Sequence, residues 1–164
     1  MAASGSFAAI QGERDPDSST AITTISLNIG ANIQITNVDD ISLQVDNRYQ
    51  DFEYEERVCI RGNVGSRFSV TAAGQDGSQN PFRLYTETEH AIEFEVYFRG
   101  DLKQPNTDQL YPGQPSPFYV MQTQVQNCDG DDTASFTILF KSQSLVDAAP
   151  GIYSGFLTLT VAAE

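Results

Sequence analysis

Residues Ala21 to Ile35 read AITTISLNIGANIQI. From Ile25 onward every odd position is apolar: Ile25, Leu27, Ile29, Ala31, Ile33 and Ile35. Every even position from Thr24 to Thr36 is polar or glycine. A period of two marks a β-strand with one buried and one wet face. At about 3.3 Å per residue this stretch would extend roughly 50 Å. An ordinary strand covers ~17–20 Å, so one sandwich cannot bury the whole length on a single face. Three arrangements satisfy the pattern. The chain bends at Gly30-Ala31 into a hairpin, or it passes between two sheets at that glycine, or its first half leaves the domain and is buried by another molecule.

The same period recurs along the chain. Gln34 to Thr36, Arg67 to Ala73, Ile92 to Phe98, Ser135 to Phe140 and Phe156 to Val161 are rich in β-branched and aromatic residues, with Gly, Pro, Asn and Asp clusters between them. Phe68, Val70 and Ala72 share one face. Ile92, Phe94, Val96 and Phe98 share another, as do Leu157, Leu159 and Val161. Such short amphipathic strands predict an all-β antiparallel sandwich. Helix signals are scarce: Ser142 to Ala149 predicts one turn, stopped by Pro150-Gly151. Gly100 to Pro117, with four prolines, reads as a long loop. Asp46 to Arg57 (DNRYQDFEYEER) mixes charge signs with Tyr49, Phe52 and Tyr54, and reads as an edge strand or an interface patch. Residues 1–20 are small and polar and read as a flexible leader.

Composition narrows the function. The chain has 164 residues, about one domain, and a net charge of −13 from 22 acids against 9 bases. Phosphate backbones and anionic lipid repel such a chain, which argues against nucleic-acid binding. No apolar run reaches the roughly 20 residues that span a bilayer, so membrane insertion is not expected. The first residues lack a basic n-region and an apolar h-region, so the protein reads as cytosolic or as one whose signal was removed. Two cysteines, Cys59 and Cys128, in a Gly-, Ser-, Thr- and Asn-rich β sequence fit one disulfide in an oxidising compartment, or else two separate buried thiols.

Three segments resemble a known class. AITTISLNIGANIQITNVDD (Ala21 to Asp40) resembles the N-terminus of secreted chaperone–usher pilus subunits. The piece Ala149 to Val161, with its G-x-Y-S-G lead-in, looks like their closing strand. HAIEFEVYFRG (His90 to Gly100) resembles a central strand of the same fold. The likeness is nearest to archaic and class 5 pilins and to spore-coat-U-like secreted domains. It covers both ends of the chain well and the middle loosely.

The resemblance implies an incomplete immunoglobulin-like β-sandwich completed by a donated N-terminal strand. Residues 21–30 would be the donor segment and 31–164 the sandwich. Thr23, Ile25, Leu27 and Ile29 would face the groove of the next subunit. Ile33, Ile35, Leu157, Leu159 and Val161 would line the acceptor groove. The implied partners are identical subunits, with a periplasmic chaperone and an outer-membrane usher during assembly. The implied location is a bacterial surface filament reached through the periplasm, serving adhesion and biofilm formation. Three features depart from the usual pattern. Cys59 precedes one middle strand and Cys128 follows another, where many such subunits tie their disulfide near the first strand. About twenty residues precede the donor segment, and no aromatic stands near the C-terminus.

Catalytic chemistry is hard to assemble. His90 is the only histidine, too few for a multi-histidine metal site. No G-x-S-x-G, P-loop or C-x-x-C is present. The expectation is a non-enzyme without cofactor or metal. Asp129-Gly130-Asp131-Asp132 and Asp39-Asp40 read as solvated acidic turns rather than a calcium loop. The alternative function is a self-contained secreted sandwich that binds calcium or glycans through its acidic and aromatic loops.

Overall fold

The alternating segments pair as antiparallel strands around one core. The computed structural model describes residue 27 and residues 33–62, 67–121 and 132–163. Ten strands are described: β1 (Ile33–Thr36), β2 (Phe52–Gly62), β3 (Arg67–Gly74), β4 (Arg83–Tyr85), β5 (Ala91–Glu93), β6 (Glu95–Arg99), β7 (Asp108–Leu110), β8 (Tyr119–Val120), β9 (Ala134–Phe140) and β10 (Leu157–Ala163). One short helix, α1 (Ser142–Asp147), lies between β9 and β10. A five-stranded sheet runs β1-β2-β9-β6-β7, a three-stranded sheet runs β10-β3-β8, and β4 pairs β5. This is an all-β, sandwich-like fold. Residues Ala31–Glu164 form a unit distinct from the residues before them. Residues 1–26 and 28–32, which carry most of the leader and donor assignments, lie outside the described residues.

The two main sheets share a single hydrophobic cluster. Val58 and Ile60 of β2, Phe68 and Val70 of β3, Val96 and Phe98 of β6 and Phe136 of β9 are all buried in it. Two aromatic chains cross the cluster. Tyr119 sits 5.4 Å from both Phe68 and Phe98, and Phe94 sits 5.6 Å from both Phe82 and Phe140. Gly100 makes the first chain possible, because a Cβ there would stand 2.3 Å from the Tyr119 ring.

Three segments differ from the sequence reading. Asp46 to Arg57 is no edge patch. Its second half belongs to β2, the longest of the described strands, which is flanked by β1 and β9. Glu53, Glu55 and Arg57 point out, while Glu56 is buried and accepts a hydrogen bond from the Tyr54 hydroxyl at 2.7 Å. The stretch expected as one strand from Ile92 to Phe98 divides at Phe94. There the chain passes from β5, which pairs with β4, to β6 in the five-stranded sheet, and the Phe94 N–H extends the β4–β5 register by donating to Phe82 O at 3.0 Å. The stretch from Gly100 to Pro117 is more than a loop. It contains β7, and residues 112–116 lie along β3. Gly113 N–H donates to Ala72 O and Ser116 N–H to Val70 O, both at 2.8 Å, and Ser116 Oγ accepts from Val70 N–H at 2.9 Å. The prolines cannot donate, but the residues between them do.

Both ends of α1 are held from the loop before β2. Asp51 accepts the Ser142 N–H at 2.8 Å, and this bond, with Lys141 beside it, holds the Asp51 carboxyl below its ordinary pKa. Arg48 donates to Leu145 O at 2.7 Å and also to Ala148 O. An anion at the N-terminus and a cation at the C-terminus both complement the helix dipole. Arg48→Ala is expected to cost about 1–3 kcal/mol, because two carbonyls lose a charged donor. Urea unfolding should show a lower midpoint at unchanged slope. Arg48→Lys, which lacks the fork, should recover only part of the loss.

Two tyrosines tie stability to alkaline pH. Burial, then a 2.9 Å bond to Asp108, raises the Tyr119 hydroxyl pKa far above that of an ordinary phenol. The bond to Glu95, then burial, pushes Tyr97 up to about 12. An unfolded tyrosine loses its proton near pH ~10. Between that value and the folded pKa the native state binds more protons, so stability falls as pH rises. The contribution is complete below about pH 10; the Tyr97 part is lost as pH rises through about 12, and the Tyr119 part at still more alkaline pH. Thermal melts across that window should show the midpoint dropping, and Tyr119→Phe should flatten the slope.

Candidate strand-acceptor groove

β1 and β10 are each the last strand of their sheet, and they contact one another across the seam between the sheets. Among the described residues β1 pairs only with β2 and β10 only with β3. The seam is therefore flanked by two strand edges whose outer N–H and C=O groups have no ladder partner among the described residues.

The side chains along this seam are apolar and incompletely covered. β10 alternates half-buried and exposed over its seven residues: Leu157, Leu159 and Val161 turn inward, Thr158 and Thr160 outward. Their partners on β3 are fully buried, with Leu159 opposite Ala72 and Val161 opposite Val70. On the other lip Ile33 and Ile35 are half-buried, and Ile35 lies opposite buried Ile60. All five pack against the core cluster without being enclosed by it. Among the described residues these five side chains are thus only partly covered, although the core beneath them is dense.

The lead-in to β10 explains why its apolar face lies along the seam. Tyr85 and Ser154 exchange both backbone hydrogen bonds at 2.9 Å. The Tyr153 hydroxyl donates back to Ala149 O at 2.8 Å. Gly155 allows close approach to β4, since a Cβ there would stand 2.9 Å from Leu84. The G-x-Y-S-G motif therefore fixes where the strand begins and which residues face in.

No protein-family model and no curated protein matches the chain.

Of the expected donor residues, only Leu27 is described, and its side chain is 82% exposed. Thr23, Ile25 and Ile29 lie outside the described residues, as do Cys128 and Asp129 to Asp131. Cys59 is disulfide-bonded and fully buried within β2. His90 is exposed at the end of a turn, with its carbonyl accepting the Thr86 N–H at 2.9 Å. Among the described residues no three His, Cys, Asp or Glu side chains gather as a metal site. Nor is any described helix long and apolar enough to cross a membrane.

One stretch beyond the expected strand also packs on the core. Ile41, Leu43 and Val45 are half-buried against it while Ser42 and Gln44 face out, yet the stretch joins no sheet. Asn37, at φ +62°, breaks strand geometry between β1 and this segment. The signal was the Ile-Ser-Leu-Gln-Val alternation, which Asn37 to Asp40 obscures.

Proposed function

We propose that this chain is a structural subunit of a bacterial surface pilus that polymerises head-to-tail by donor-strand exchange. The observation that carries the reading is the seam: two strand edges flanking five half-buried aliphatic side chains. The alternating Ala21 to Ile29 segment, with Leu27 in solvent, supplies a matching strand. In β-strand addition, main-chain hydrogen bonds give affinity and alternate side chains set register. Each aliphatic side chain buried on docking contributes about 1.5–3 kcal/mol. A donor on one copy and an acceptor on the next make a contact that does not close, so it propagates as a filament. In this reading a periplasmic chaperone covers the seam before assembly and an outer-membrane usher directs the exchange. The filament serves adhesion and biofilm formation.

The test is negative-stain electron microscopy of the purified protein, with gel migration before and after boiling in detergent. The expected result is thin fibres and a ladder that collapses to 18.0 kDa only on heating. A compact monomer with no ladder would overturn the reading. The Ala21 to Ile35 segment would then complete its own sandwich.

A further inference from the structure

The geometry points to a binding cleft for a neutral saccharide, formed by the 78–82 turn, the β5–β6 junction and the turn after β7. The cleft measures about 410 Å³, within the range of small-ligand sites. It rests on the stacked Phe82 and Phe94 rings, both nearly fully buried. Its walls are braced against one another. Gly113, at φ +69°, lies so close to the 78–82 turn that a Cβ would stand 2.4 Å from Ser78 O. Gln114 N–H closes the facing turn onto Tyr111 O at 3.0 Å, and Asn80 Nδ2 donates to Asp76 O at 2.8 Å.

The lining selects a ligand class. Tyr111 is 53% exposed, and its hydroxyl donates to Gln109 Oε1 at 3.2 Å, which fixes the ring as a platform. The negative face of an aromatic ring attracts polarised C–H groups such as those on one side of a pyranose. Gln79 and Gln114 also line the cleft, and each amide offers donors and an acceptor. Vicinal hydroxyls need that combination. Among the described residues no Lys, Arg or His lines the cleft, so an anionic ligand would find no counter-charge from them. The two lining carboxylates are already engaged, Glu93 by Arg83 at 3.0 Å and Glu95 by the Tyr97 hydroxyl at 2.8 Å. That weakens the pull on a cation.

The cleft borders β5 and, at the far end of the five-stranded sheet from β1, β6 and β7. Saccharide binding and strand donation therefore stand or fall separately. The experiment is saturation-transfer NMR on the full chain with lactose, cellobiose, chitobiose and mannobiose, and with 3′-sialyllactose and digalacturonate as anionic probes. At least one neutral disaccharide should show transfer. Tyr111→Ala should weaken it about tenfold, while Tyr49→Ala, on another exposed tyrosine, should leave it unchanged. Thermal melts check that both variants fold. The inference is overturned if no neutral probe shows transfer, if Tyr111→Ala binds as the parent does, or if the anionic probes bind better.

Discussion

A Leu27→Asp chain is expected to remain a folded monomer and to form no fibres. Leu27 is 82% exposed, so the substitution removes almost no buried contact. Exposed changes of this kind shift stability by within about 0.5 kcal/mol, and the melting temperature should match the parent. Between subunits the same side chain would enter a seam lined by Leu159, Val161, Ile33 and Ile35. An unpaired carboxylate buried there costs several kcal/mol, enough to abolish the detergent-resistant ladder. Leu27→Val should keep it. The two readouts separate folding from assembly. If Leu27→Asp assembles like the parent, the donor assignment is wrong.

The largest stability effect should come from Phe98→Ala. Phe98 is fully buried in β6, between its sheet neighbours on β9 and β7, and its ring lies 5.4 Å from Tyr119. Truncating a buried phenylalanine costs about 3–5 kcal/mol, from lost transfer energy and the cavity left behind. Against a total of about 5–15 kcal/mol, that is a large share. Equilibrium urea unfolding should show a much lower midpoint. Phe118→Ala is the control: that ring is 59% exposed, and its loss should cost under about 0.5 kcal/mol. Comparable losses at both positions would mean that the core does not run between the sheets as described.

The strands legible in the sequence are those with one apolar and one polar face. Phe68-Val70-Ala72 and Leu157-Leu159-Val161 show it plainly, because β3 and β10 each turn one face to the core. β2 was obscured by its own acids: Glu56 occupies an inward position and reads as surface until the Tyr54 hydroxyl satisfies it. β7 was hidden among prolines, whose effect on pairing depends on which neighbours still carry an N–H. The helix was visible in Ser142 to Ala149, but its caps were not. Arg48 and Asp51 reach it from more than ninety positions away. Period two also shows which side chains along the seam share a face. It is silent on which edge of each strand goes unpaired, because pairing depends on partners distant in the chain.

The proline-interrupted segment beside β3 bears on the architecture of the proposed polymer. Residues 112–116 occupy the side of β3 opposite β10, and the prolines leave that segment few N–H groups for a further strand. The long edge strand left to receive a partner in that sheet is therefore β10. In the vocabulary of step-growth chemistry, a subunit with one donor and one acceptor has a functionality of two. Such monomers extend linearly, so branching or bundling of the proposed fibres would have to come from another edge, such as β7 at the far side of the five-stranded sheet, or from contacts between their sides.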